Sequence, residues 1–376
     1  VKTDATGASA TEAGFFDPLS KNVPVEAWQA LCDEAVDPNP FFNPSFLQPF
    51  LTNMSVRNIR LLALKEKSTG RWLMAAPIRR CPAGLVLPVA TVWTTEYSPL
   101  GTPLMSPQVG DDDVKTFVNV AAGRAGILAI PFLPMASGVA MRLTNLENMK
   151  VATTSRFERA SHASGGEGEK QLEDAFKGKR RKEMRRLLRR LEDHGTVNLS
   201  SVTGTGTLEC FEQFLELEAS GWKGREESAL GSNPQTSDFS REVIASCAHS
   251  DSIRVDELRA GDNLIASLVS FVDGGCVFTW KIAFDEGYAR YSPGAQLVLH
   301  TFRENLAQSG FRYADSLAVP GHSMIEPLWR GRLEFGTLLL ASQPLGDLKN
   351  NLCAADMAFE RKLRQVARTV RAKLKS

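Results

Sequence analysis

Nothing in the sequence approaches the roughly 18 consecutive apolar residues that a membrane-crossing helix needs. Histidine is scarce, five residues in 376, and the six cysteines (Cys32, Cys81, Cys210, Cys247, Cys276, Cys353) never form a Cys-x-x-Cys pair. That scatter argues against a zinc site or a disulfide framework and points to reduced thiols in the cytoplasm, with no metal. Net charge is only +1, so the whole molecule has no electrostatic bias toward nucleic acid or an anionic surface. The first residues, VKTDATGASATEAG, lack the apolar core of a signal peptide; residues 1–20 are expected to be a disordered leader.

What is present is the composition of a globular protein, 43% hydrophobic and 23% charged, with enough chain for two domains. Helices are predicted over 23–35, 44–51 and 111–126, with a hairpin formed by NIRLLALKEK and RWLMAAPIRR and strands over 85–93 and 127–135. Residues 160–169, ASHASGGEGE, read as a linker or loop. The stretch 170–195 is the clearest helix, with Leu172, Phe176, Met184, Leu187, Leu188 and Leu191 at helical spacing, Gly178 as a weak point and Gly195 as its stop. Two helices (207–222 and 237–249) and three strands joined by Gly-Asp and Asp-Gly-Gly turns (252–284) follow. A turn-opened helix, a strand through FRYADSLAV, a short helical piece SMIEPLWRGR, a strand over 335–341 and a basic tail helix from Asp347 complete the chain.

The halves echo each other. Each has antiparallel strands, then Tyr-Ser-Pro (97–99 and 291–293), a helix, a glycine (Gly126, Gly310) and an apolar strand. In the second half the elbow reads Tyr291-Ser292-Pro293-Gly294-Ala295-Gln296. A glycine opening a helix bares backbone N–H groups, here those of Gly294, Ala295 and Gln296, and the helix dipole makes such a turn an anion site. The plainer alternative is an ordinary helix start, with Ser292 as N-cap and Pro293 at the first position.

Antiparallel strands, a glycine turn opening a helix and a parallel strand form an order that resembles the GNAT acyltransferases, in which that turn binds the pyrophosphate of acyl-coenzyme A. Of the usual Gln/Arg-x-x-Gly-x-Gly/Ala pattern the chain keeps the central glycine. The basic stretch GKRRKEMRRLLRRLEDHG, FLELEASGWKGRE (214–226), WKIAFDEGYARYSPG (280–294), DSLAVPGHSMIEPLWRGR (315–332) and YSPLGTPL are similar to a GNAT-like family of bacterial cellulose and polysaccharide biosynthesis proteins, akin to the Fem-type aminoacyltransferases. The resemblance spans roughly 40–345. It implies an α/β (α+β) chain of tandem GNAT-like domains with mostly antiparallel sheets flanked by helices. The boundaries it suggests are 21–158 and 197–345, with 159–196 as a joining linker and basic helix and 346–376 as a terminal basic helix. Tyr291, Ser292, Gly294, Ala295 and Gln296 would hold the acyl-thioester.

Further residues carry two readings each. Trp222, Lys223 and Arg225 offer an aromatic platform beside cations, or else a core anchor and a helix end. Lys281, in an alternating strand, faces solvent or lines a cleft. Asp315 interrupts an apolar strand as a base, as a salt-bridge partner of Lys281, or both. His322, in a Pro-Gly-His turn, is an acid or base or a solvent-facing loop residue, and Glu286 is a reserve base. The ten Lys and Arg residues from Lys170 to Arg190 surround an apolar stripe, as a packed linking helix or as a binder of nucleic acid, including tRNA, or of acidic polysaccharide. The function expected is acyl transfer from acyl-coenzyme A to a small-molecule or saccharide amine or hydroxyl. The alternative is a non-catalytic holder of nucleic acid or acidic polymer.

Overall fold

The computed structural model describes residues 10–342 and 344–375. In chain order it runs β1 (Thr11–Phe16), α1 (Val25–Glu34), α2 (Pro44–Asn53), β2 (Arg60–Glu66), β3 (Trp72–Pro82), β4 (Pro88–Val92), β5 (Leu104–Met105), α3 (Asp111–Ala122), β6 (Ile127–Pro134), α4 (Gly138–Thr144) and β7 (Met149–Ala163). Then come α5 (Gly165–Ala175), α6 (Gly178–Leu191), β8 (Val197–Thr203), α7 (Thr207–Ser220), α8 (Trp222–Arg225), α9 (Pro234–Cys247) and β9 (Ile253–Ala260). The chain ends through β10 (Asn263–Asp273), β11 (Cys276–Phe284), α10 (Pro293–Ala307), β12 (Tyr313–Asp315), β13 (Gly331–Ser342) and α11 (Gly346–Lys375). Two compact units result: residues 1–44, 57–156 and 335–376 form the first, and 45–56 with 157–334 form the second.

Each unit repeats one order. The first runs β1, α1, β2-β3-β4, α3, β6, and the second β8, α7, β9-β10-β11, α10, β12. Within each, neighbouring strands are antiparallel except for one parallel pair, β4 with β6 and β11 with β12. In both cases the crossover helix, α3 or α10, makes the parallel pairing possible. A last antiparallel strand reaches each unit from elsewhere in the chain. Phe335–Ala341 of β13 pairs β6, and Ser161–Ala163 of β7 pairs β12. This is the α/β class with mostly antiparallel sheets and flanking helices that the sequence implies.

Several local expectations change. Residues 1–9 of the expected leader lie outside the described residues, but Thr11–Phe16 pairs with β2 as an edge strand. Residues 160–169 are not a loop: β7 runs through Ala163 and α5 begins at Gly165. The long basic helix is two helices, because Gly178 adopts φ +59°, a conformation that L side chains resist. Both pieces fall inside the second unit, and the chain passes between units within β7 and β13 instead. Of the stretch SMIEPLWRGR, residues 323–328 form turns rather than a helix, and the last two residues open β13.

The second unit's core explains its site. Leu297, Val298 and Phe302 on one face of α10 pack with Leu258, Ala266, Leu268 and Val277 of the sheet. The β10–β11 hairpin is closed by Gly274 and Gly275, both at positive φ, as its two-residue Asp-Gly-Gly-Cys turn demands. On α6, Met184, Leu187 and Leu191 are buried, and the Gln296 side chain donates to the Met184 carbonyl at 2.8 Å. That helix is held by packing, while Arg186 is spent on Glu183 at 2.5 Å.

Candidate active site

A cleft opens in the second unit because two parallel strands part. β11 and β12 pair only from Cys276–Phe278 to Tyr313–Asp315, after which β11 continues for six residues without that neighbour. The Asp315 carboxylate accepts from the Leu317 N–H at 2.9 Å, Leu317 takes a left-handed φ of +50°, and the chain swings away. Thr279 Oγ1 donates to the Ser316 carbonyl at 2.7 Å and pins the point of divergence. One residue later β11 carries a bulge: Thr279 faces Ser270 but Lys281 faces Val269, so Trp280 is the extra residue.

Beyond the bulge lies a cavity of about 130 Å³. Leu217, Glu218 and Gly221 form one wall, Ile282, Ala283 and Phe284 a second, and Trp222, Lys223, His322 and Met324 close it. An apolar cavity of about 150 Å³ takes a benzene-sized guest. This one therefore suits an acyl group or a small side chain rather than a nucleotide.

Lys223 and Glu218 form its polar floor. Glu218 is buried on α7, where it continues the stripe of Phe211, Phe214 and Leu215. Its Oε1 accepts from Lys223 Nζ at 2.7 Å and its Oε2 from the Leu230 N–H at 2.8 Å. Lys223 Nζ also donates to the Ile282 carbonyl at 3.1 Å. That contact shows which way Ile282 points its backbone: away from β10 and into the cleft. By the two-residue period of a strand, the N–H groups of Ile282 and Phe284 face the same way, and Asp285 N–H, one residue on, turns back to β10 at Ile265 O. Two backbone donors and one ammonium thus converge on the cavity.

His322 is the titratable group best suited to proton transfer there. Burial, helped by the Lys223 charge, lowers its pKa from 6.5, so the imidazole is neutral at pH 7. Its Nδ1 is buried with no hydrogen-bond partner among the described residues.

The other predicted residues sit differently. Asp315 is buried and forms an ion pair with Arg159 at 3.1 Å, a partner the sequence did not suggest. Lys281 is not part of the cavity lining; its ammonium lies 5.9 Å from the Trp280 ring centre. Glu286 accepts from the Trp222 N–H at 2.8 Å and Arg225 at 2.7 Å, and these contacts, Arg225 first, hold its carboxyl below the usual range. It and Arg225 thereby fix the turn that presents Trp222 and Lys223. Trp222 itself is 48% exposed, a platform at the rim and not a core anchor.

The elbow departs most from expectation. Tyr291 is buried and its hydroxyl meets His194 Nε2 at 2.8 Å. Ser292 is left-handed, φ +52°, and its side chain caps nothing. The Gln296 N–H already serves the Ser292 carbonyl at 3.0 Å. Gly294 is buried under Met324: a Cβ there would overlap the Met324 sulfur and lie 2.6 Å from its methyl carbon. Room for a diphosphate at Gly294, which the sequence suggests, is taken by Met324. In this structure the Met324 thioether, the end of a flexible side chain, covers the elbow, while the cavity beside it has the size of an acyl group.

Residues 178–323 match the family model of the acetyltransferase (GNAT) domain. Every site residue named above except Met324 and Arg159 falls in that stretch. This part of the chain is similar to a GNAT acetyltransferase domain. Among solved structures, FemX superposes with a TM-score of 0.54 at 8% identity, covering 91% of this chain and 99% of that one. The C-terminal domain of a protein described as a lysylphosphatidylglycerol synthetase from Agrobacterium fabrum gives 0.53 at 12% identity, covering 88% and 95%. Identities this low show a shared fold. No curated protein sequence matches the chain.

Sequence reasoning quoted but did not single out Glu218. The signal was present as a carboxylate on the buried stripe of α7, seven residues after Phe211. A backbone donor for an oxyanion was expected from the strand that holds Lys281, which the family resemblance implies is splayed, though not at which residues; Met324 had no signal, since it depends on where the turns after β12 fold. Among the described residues, no cluster of His, Cys, Asp and Glu is placed to hold a metal, and no helix is long and apolar enough to cross a membrane.

Proposed function

We propose that the second unit transfers an acyl group from an activated ester or thioester to an amine or hydroxyl. One observation carries the reading: a neutral half-buried histidine, a lysine ammonium and two backbone N–H groups meet at an acyl-sized cavity where β11 and β12 part. The acyl chain enters between Leu217 and Ala283. The acceptor's lone pair attacks the carbonyl carbon while His322 takes the acceptor's proton. The carbonyl oxygen becomes an oxyanion held by the Ile282 and Phe284 N–H groups, with Lys223 adding positive charge nearby. Collapse breaks the bond to the leaving oxygen or sulfur, which recovers the proton from His322. Asp315 and Glu286, both tied up in ion pairs, position the loop and the Trp222 turn.

The donor is a thioester such as acyl-coenzyme A, or an oxygen ester such as aminoacyl-tRNA, whose hydroxyl end is then the leaving group. The cavity fits the acyl end of either, and the covered elbow favours a donor that does not use Gly294. Acceptors in polysaccharide or cell-envelope metabolism suit the family resemblance.

Isothermal titration with acetyl-coenzyme A and with a hydrolysis-resistant aminoacyl ester analogue tests this. Binding of one donor, lost when Ala283→Leu fills the cavity, supports the reading. Binding of neither, or binding indifferent to Ala283→Leu, overturns it.

A further inference from the structure

The terminal helix α11 has two apolar faces. One holds Cys353, Ala354 and Met357 and packs on Val89, Ile127, Ala129, Leu339 and Ala341 of the first unit's core. The other is left uncovered by the described residues: Leu348, Leu352, Phe359, Leu363 and Val366 are 52%, 50%, 57%, 46% and 60% exposed. At about 3.6 residues per turn these five lie in one narrow stripe. In the sequence the same spacing continues at Val370 and Leu374.

Charge decides what could cover that stripe. From Met357 to Ser376 there are seven Lys or Arg residues and a single acidic one, Glu360. Helical spacing sets Lys362 beside the stripe, an offset that Lys373 repeats in the sequence, and sets Arg364, which pairs with Glu360, on the face turned away from it. A second copy of this helix would bring two strongly positive segments together and repel. A nucleic acid would match the charge but leave the Leu, Phe and Val side chains in water. An anionic lipid surface satisfies both, because apolar side chains enter the acyl boundary while flanking cations meet phosphate headgroups. We propose that the distal half of α11 lies in the plane of an anionic membrane surface and holds the chain there without crossing it.

Flotation of the full chain with vesicles tests this. Two compositions are compared: phosphatidylcholine alone, and phosphatidylcholine with part of it replaced by phosphatidylglycerol. The protein is expected to float with the anionic vesicles only, and less so as salt rises. Phe359→Asn with Leu363→Asn should weaken association roughly tenfold or more, and Lys362→Gln about fivefold. All three positions are exposed, and circular dichroism melts confirm that the variants fold. Failure to float with either vesicle overturns the proposal. So does equal flotation with both, or indifference to Phe359→Asn with Leu363→Asn. So too does a concentration-dependent dimer in sedimentation velocity, or duplex DNA or tRNA binding, that accounts for the helix in place of vesicles.

Discussion

Lys223, on α8, reaches back across the break at Gly221 to Glu218 of α7, 2.7 Å away, and in doing so turns a buried carboxylate into the polar floor of the cavity. Glu218 is 2% exposed at its side chain and Lys223 25%. Removing the cation leaves a buried charge uncompensated. Lys223→Met should therefore cost about 3 kcal/mol of stability, the lower part of the range for broken buried pairs since water still reaches Lys223. Glu218→Gln in the same chain should recover much of that loss. Urea unfolding of the two single variants and the double variant measures it.

Gly294 and Met324 give a prediction of opposite sign to helix propensity. In an open first turn, Gly→Ala is neutral or stabilising. Here the new methyl meets the thioether end of Met324, which must shift, so Gly294→Ala should forgo that gain and destabilise by up to about 1 kcal/mol. Met324→Ala should relieve the clash in the double variant. Thermal melts of the single and double variants show whether the loss disappears.

On the proposed mechanism, His322 sets the pH dependence of catalysis. Its pKa is lowered from 6.5, so the base form is present at neutrality and is lost only as pH falls further. The rate kcat/KM should be flat above pH 6.5 and drop in acid below the lowered pKa. Lys223→Met removes the nearby positive charge, which should move that acid limb to higher pH. A pH–rate profile of each enzyme checks both statements.

His162 makes the fold acid-sensitive. It is 1% exposed, stacked on Phe302 at 3.8 Å, and bonded through Nε2 to Asn305 at 2.9 Å. Burial, assisted by Arg254, drops its pKa from 6.5 to about 3. The folded-state pKa lies below the unfolded one, so stability is complete above pH 6.5 and lost as pH falls toward 3. The loss amounts to roughly 5 kcal/mol by linkage. His162→Gln should flatten stability over that interval by about one proton's worth of slope, read from urea melts across pH.

The order of elements was legible because it rests on local signals. Alternating apolar residues with an Asp-Gly-Gly turn mark β10 and β11, Pro293 marks the start of α10, and the repeated Tyr-Ser-Pro marks the internal echo. The parts that were hidden depend on contacts far apart in the chain. Asp315 finds Arg159 across 156 residues, so spacing pointed to nearby Lys281 instead. The bulge at Trp280 shifts the phase of β11, so simple alternation misplaces Lys281 relative to the cleft. Thr11–Phe16 carries a glycine and little apolar alternation, and it becomes a strand because β2 offers it a partner. Met324 reaches Gly294 only because the turns after β12 fold back over α10, which no pattern in either segment announces.

The most direct measurement is acyl turnover by the full chain, with hydroxylamine as a small acceptor that needs no recognition of its own. Donors are acetyl-coenzyme A and an aminoacyl oxygen ester, and the product hydroxamate is followed for the wild type and for His322→Asn. The account predicts enzyme-dependent hydroxamate from at least one donor, and a fall of about a hundredfold or more in His322→Asn. Wild-type turnover no faster than that of His322→Asn with both donors would contradict it.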